Sequence, residues 1–281
     1  MEARPLIFVL VCTIDEGIRR VGEILLAPEA GVRYVVSWQQ THGGLECPSA
    51  LHRPDVVVTR MEGKGLSRNR NHAISAALEL LGDEQEDAVF IIADDDEQLE
   101  PGALAEVRRQ YMEWPQADIV LWQTLTLEDG LPLKPYPATA MDYRCRPRSY
   151  YASSVEMTLR SRVFSSSGIR FDERFGLGSE RLSAGEEAVF LMDAERLGLR
   201  IWLTPKVLCR TRRATTGQRA LDVKSLRSKG AEYGYGHSLL WAFLRSAREA
   251  AGLAWRHGCR VAPVFYNIWY GVKYIRQCKS N

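Results

Sequence analysis

The chain has 281 residues, 46% of them hydrophobic, enough for one globular domain with or without an appended segment. Its 37 basic and 35 acidic residues leave a formal charge of +2, which argues against a protein built mainly to bind nucleic acid. Six scattered cysteines without a CxxC pair argue against a disulfide framework or zinc knuckle, and for reduced thiols in a cytoplasmic protein.

The first apolar run, 6–11, is too short to span a bilayer, and Asp15 and Glu16 follow it without a small-residue cleavage site. It reads as a first core strand over 6–12. Further short runs rich in Val and Ile predict buried strands over 34–37, 55–59 and 89–93. Between them, 67–81 places Ala73, Ile74, Ala77, Leu78 and Leu81 on one helical face and stops at Gly82. A second helix is expected over 101–112, with Pro101 in its first turn. Alternating strand and helix through residue 125 calls for an α/β sheet whose ligands sit at the carboxyl ends of its strands. From 125 to 167 the pattern weakens into proline-containing loops around short strands. A helix over 186–197 and a strand over 201–203, capped by Thr204-Pro205, complete this part.

Three segments carry chemistry. Val89 to Ala93 is wholly apolar and ends abruptly in Asp94-Asp95-Asp96. Carboxylates crowded at a buried strand end raise one another's pKa unless a cation compensates, and oxygen ligands suit Mg²⁺ or Mn²⁺. An acidic turn capping the next helix is the plainer alternative. In Gly63 to Ile74, glycines lead into Ser67, and Arg68, Arg70 and Asn71 fall in the first helical turn. Cations there are unfavourable unless an anion such as a diphosphate shares the site; otherwise the arginines simply face solvent. In Gly185-Glu186-Glu187, two acids open a helix after a Gly-containing loop. They can offer a base to a hydroxyl, or merely favour the helix N-terminus electrostatically.

Together these segments resemble glycosyltransferase family 2, inverting enzymes of the GT-A fold, over residues 5 to 217. The resemblance implies a GT-A α/β fold, a Rossmann-like sandwich around a mostly parallel sheet, over residues 1–220. It also implies a nucleoside-diphosphate-sugar donor. Residues 6–13 match the first strand, whose end, here Thr13 and Ile14, contacts the nucleotide. Gly65-Leu66-Ser67 with Arg70-Asn71 matches the "GLS…RN" helix start, and Asp94-Asp95-Asp96 stands at the DXD motif. Asp96 would ligate Mn²⁺ or Mg²⁺, Asp94 would approach ribose or metal, and Asp95 would line the nucleotide sugar. Glu187, at the Asp of "GED", would be the base, and Glu186 would hold acceptor or sugar. Two departures stand out: no Asp follows the second strand in Val36-Ser37-Trp38-Gln39-Gln40, and no histidine precedes Thr215-Thr216. Arg210, Arg212 and Arg213 are candidate phosphate contacts there. A sugar-1-phosphate nucleotidyltransferase fits less well, because Thr13-Ile14-Asp15-Glu16-Gly17 lacks that class's Gly-rich basic loop. A nucleotide-sugar-binding protein without turnover is the non-enzymatic alternative.

Residues 221–281 are expected to form a helical extension in which Trp241, Phe243, Phe265, Tyr266, Trp269 and Tyr270 alternate with Arg245, Lys273 and Arg276. Pro263 is expected to break it into two helices. Such helices suit a bilayer surface or a second subunit of a homodimer. Docking on the inner face of the membrane would match a glycan or polyprenyl-linked acceptor in surface polysaccharide assembly.

Overall fold

The computed structural model describes residues 5–82, 88–213 and 221–278. The expected boundary at 220 and the Thr215-Thr216 pair lie outside these described residues. The chain forms two compact units: Met1–Lys64, Arg68–Arg170 and Asp193–Arg213 make the first, and Gly65–Ser67, Phe171–Met192 and Ala214–Asn281 the second.

The first unit holds one mixed sheet. Strands β1 (Leu6–Ile14), β2 (Val32–Gln40), β3 (Val56–Glu62) and β4 (Ala88–Asp94) are parallel, in the spatial order β3-β2-β1-β4. β1 and β4 are buried along nearly their whole length, as strands covered on both faces must be. Helix α1 (Leu66–Leu81) returns the chain from β3 to β4. Because β2 and β3 lie on one side of β1 and β4 on the other, the topological switch falls between β1 and β4. Ligands of open α/β sheets bind outside the carboxyl ends of strands at such a switch.

The sheet continues through β5 (Glu97–Leu99), β6 (Ile119–Thr126), β7 (Met141–Asp142), β8 (Met157–Arg160) and β9 (Ile201–Thr211). β8 runs antiparallel between β4 and β6, β9 lies parallel to β6, and β5 and β7 pair antiparallel with β9. Helix α2 (Ala103–Glu113) starts after Gly102, which sits at φ 80°, so Pro101 precedes the helix rather than opening it. Residues 204–206 do not end β9. Leu121 pairs with Leu203 but Gln123 with Val207, so Pro205 is absorbed in a bulge where its missing N–H costs no ladder bond. Short helix α3 (Arg162–Ser165) follows β8, and Phe90 stacks on its Phe164 at 5.8 Å.

The second unit contains the loop before helix α4 (Glu186–Arg196), and helices α5 (Val223–Gly236), α6 (Leu239–His257) and α7 (Val261–Gln277). The break between α6 and α7 falls at Gly258, at φ 63°, and Pro263 sits in the first turn of α7. Proline is tolerated in a first turn, whose N–H groups lack helical partners anyway. α5 and α7 pack backbone to backbone. A Cβ on Gly230 would stand 1.7 Å from the Ile268 carbonyl oxygen, and one on Gly271 would stand 1.9 Å from that of Arg227.

Gly271→Ala must therefore push α5 and α7 apart, at a cost of about 3 kcal/mol, the upper end for overpacking. On α6 a Cβ at Gly252 meets nothing within 4 Å. Gly252→Ala should instead stabilise by about 0.5–1 kcal/mol through helix propensity. Urea unfolding of both variants checks the contrast; equal effects would remove the close-contact account.

Candidate active site

At the switch point, the carboxyl ends of β1 and β4 present Thr13 and the acidic triplet side by side. The Thr13 hydroxyl donates to Asp95 Oδ2, and Arg20, from the turn after β1, forms an ion pair with Asp95 Oδ1. The turn has to pass close to Asp95: a Cβ on Gly17 would lie 2.0 Å from its Oδ2. Behind Thr13, Asn69 of α1 donates to its carbonyl oxygen at 3.0 Å, while Asn69 Oδ1 is buried with no hydrogen-bond partner among the described residues.

Arg70 does not face solvent. It is 1% exposed, donates to Ser154 Oγ at 2.6 Å and reaches Asp94 Oδ1 at 3.4 Å. Two of the three crowded carboxylates are thus balanced by arginines of the protein itself. Glu97 lies beneath them, 2% exposed, and accepts the Asp94 N–H at 2.6 Å. Burial, followed by the Asp94 charge, pushes its carboxyl well above the usual glutamate range. Asp96 is the exposed member of the triplet. Partial loss of hydration, then the Asp95 charge, raises its pKa, while Arg20 and Arg212 oppose the shift.

The turn over Ser154–Glu156 holds this arrangement from below. Ser154 takes Arg70, the Val155 carbonyl accepts the buried Cys209 thiol at 3.3 Å, and Glu156 is paired with Lys134 at 2.7 Å. Tyr136 and Tyr150 donate to the same carboxylate at 2.8 and 2.9 Å. Burial raises the Glu156 pKa against the pull of Lys134 and of these hydroxyls.

Ile14 is exposed and Asn71 is half-buried. Arg210 is paired with Glu100 and Arg213 with Asp129, whereas the exposed Arg212 acts on Asp96. Just past β2, Thr41 donates its N–H to Asp15, of the turn after β1, at 2.7 Å. The Thr41 hydroxyl bond lowers the Asp15 pKa most.

Glu186 and Glu187 belong to the second unit, where they open α4. Gly185 precedes them at φ 95°, and a Cβ there would stand 3.0 Å from Glu232 Oε1 on α5. Glu186 is 5% exposed and packs with Ser67 around Gly176, whose added Cβ would meet each at 3.1 Å. Burial raises the Glu232 pKa; Lys229, 3.4 Å away, opposes this, and the Glu187 charge adds to it. Sequence reading passes over Arg20, Ser154 and Glu232, each an ordinary polar residue outside any motif. Gly17 is the one with a visible signal, a glycine in the turn after a buried strand.

Among the described residues, no group of three or more His, Cys, Asp or Glu side chains is arranged to hold a metal ion. The oxygen donors Asp96 and Asp94 fit a hard cation held by one or two carboxylates and completed by substrate phosphates. A cleft lined by Leu6, Phe8, Val32 and Leu81 lies at the amino ends of β1 and β2, away from these groups.

No protein-family model and no curated protein matches the sequence. Solved structures do match. S. aureus TarS aligns over 87% of this chain with 15% identity and a TM-score of 0.53. TarS 1–349 in complex with UDP aligns over 88% at 16% identity and 0.53, and its complex with UDP-GlcNAc over 88% at 15% and 0.52. The chain spans 42% of the TarS chain and 70% and 71% of those 1–349 forms. The fold is thus GT-A-like and shared with TarS: α/β, with a mostly parallel curled sheet and C-terminal helices.

Glu97→Ala would leave the Asp94 amide without its acceptor and open a void beside the triplet, costing about 2–4 kcal/mol. Glu97→Gln keeps an acceptor and has no charge to desolvate. Because the native carboxyl has a raised folded-state pKa, its contribution is present below the unfolded value and lost as pH rises toward the folded one. The wild-type protein should therefore lose stability relative to Glu97→Gln as pH climbs above about 4.5. Thermal melts across pH check this; parallel curves would refute it.

Proposed function

We propose that the protein is an inverting glycosyltransferase of family 2, moving a sugar from a nucleoside-diphosphate sugar to a hydroxyl of a glycan or lipid-linked acceptor. The observation that carries this reading is the acid pair Asp94–Asp95, fixed by Arg70, Arg20 and Thr13 at the switch point of a glycosyltransferase fold. TarS, with the same fold, has been crystallised with UDP and with UDP-GlcNAc, which supports a nucleotide-sugar donor here.

In this reading Thr13, Ile14, Asn71 and the Asp94–Asp95 pair line the nucleotide and sugar, with Arg70 orienting Asp94. Asp96, supported by Asp94, would hold Mg²⁺ or Mn²⁺, which when bound offsets charge on the leaving diphosphate. Arg212 meets the phosphates, and Arg210 and Arg213 join it when released from Glu100 and Asp129. Glu187 takes the proton of the acceptor hydroxyl as that oxygen attacks the anomeric carbon. The bond to the diphosphate oxygen breaks, its electron pair leaves with the nucleoside diphosphate, and direct attack inverts the centre. Glu186 holds the acceptor or sugar.

A thermal-shift screen of nucleotide sugars with and without Mn²⁺ should find one donor that stabilises the wild-type protein. Asp96→Ala should abolish the metal-dependent part of that shift. Glu187→Gln should keep the shift yet lower transfer by at least about 100-fold, the scale of general-base catalysis. Full transfer by Glu187→Gln would remove the base assignment. Stabilisation without any transfer by the wild type would make this a nucleotide-sugar-binding protein.

A further inference from the structure

α6 is apolar on two sides. Its inner stripe, Ala242, Ser246, Ala250, Leu253 and Ala254, is buried in the second unit, with Leu253 in one apolar cluster with Leu226 of α5 and Val264 of α7. The opposite side carries Leu240, Leu244 and Trp255, which recur near multiples of the helical repeat, with Trp241 beside them. They are 67%, 46%, 87% and 61% exposed. A surface helix normally turns charged groups outward, and an apolar ridge of this size marks a docking face.

The surrounding charge names what docks. From Leu239 to Gln277 the sequence has six Lys or Arg residues and one acid, Glu249. Glu249 is half-buried and receives Tyr233 at 3.3 Å, while Arg245, Arg248 and Arg256 on the same helix are exposed. A second copy of this face would bring the same basic set against itself, because a two-fold interface is self-complementary. An anionic bilayer offers the opposite charge and an apolar layer at the depth that Leu and Trp side chains reach. No helix among the described residues is long and apolar enough to cross a membrane. We propose that the outer face of α6, through Leu240, Leu244, Trp241 and Trp255, inserts into the interface of an anionic membrane, with Arg248 at the headgroups. The face differs from what aromatic content alone suggests: Val264, Ile268, Val272 and Ile275 of the more apolar α7 are buried and unavailable.

This inference goes beyond the transfer reaction and is read without it, by sedimentation with vesicles. The full chain should pellet with vesicles of phosphatidylglycerol mixed with phosphatidylcholine at low salt, and much less at high salt or with phosphatidylcholine alone. The exposed-face variant Leu240→Ser/Leu244→Ser/Trp255→Ser should lose roughly 100-fold in partitioning while keeping its melting temperature. Arg248→Glu should weaken binding to the anionic vesicles only. Lipids brominated in their chains should quench Trp fluorescence, and Trp255→Phe should reduce that quenching. Wild-type protein left in the supernatant at low salt would overturn the proposal. So would unchanged binding of the triple variant, or a dimer in solution that the triple variant dissociates.

Discussion

Charge compensation at the carboxyl ends of β1 and β4 is the constraint around which the first unit is arranged. Three consecutive carboxylates emerge where β4 leaves the core, and hydration is scarce there. Arg70, itself almost wholly buried, could not be tolerated without a carboxylate, and Asp94 supplies it. Arg20 does the same for Asp95 from the far side, with Thr13 completing the hold. Asp96, turned outward, is acted on by Arg20 and Arg212, while partial loss of hydration and the Asp95 charge raise its pKa.

The Ser154–Glu156 turn explains how a buried arginine keeps its aim. Its three residues each hold a different part: Ser154 orients Arg70, Val155 accepts the Cys209 thiol of β9, and Glu156 gathers Lys134, Tyr136 and Tyr150. Isolated, the Lys134–Glu156 pair would suffer the full desolvation of two charges. Two phenol donors on the carboxylate and the Tyr151 ring, 4.0 Å from Lys134 Nζ, offset part of that cost. A network satisfied this fully is rigid, and it holds the turn whose Ser154 accepts Arg70.

The strands and helices that build the site were legible because their periods are unambiguous: β1 and β4 are continuous apolar runs, and α1 keeps one apolar face until Gly82. The triplet, the helix start and the Gly185-Glu186-Glu187 loop were legible as motifs. Residues 119–160 were read poorly because β8 has only four residues and pairs antiparallel among parallel neighbours, which no local pattern announces. β9 was cut short at Pro205 because a bulge depends on the register of two strands, not on the sequence of one. Arg20, 75 positions from Asp95, was invisible as the partner because ion pairing is set by the fold.

The second unit shows why helices that follow the Gly185-Glu186-Glu187 loop in sequence still bear on its chemistry. Gly230, Gly234 and Gly271 let α5 and α7 approach closely, and this fixes the position of α5. α5 in turn supplies Ser228, which receives the Ala184 N–H at 3.2 Å, and Glu232, which fills the space above Gly185. The loop that presents Glu187 therefore has its conformation set by α5, and Glu187 has its electrostatic neighbour there. With α5 and α7 packed against each other and α6 laid along them by its small-residue stripe, only the outer side of α6 is left to carry Leu240, Leu244 and Trp255 into the surroundings. Packing that shapes the acid pair inside the unit is the same packing that turns the apolar ridge outward.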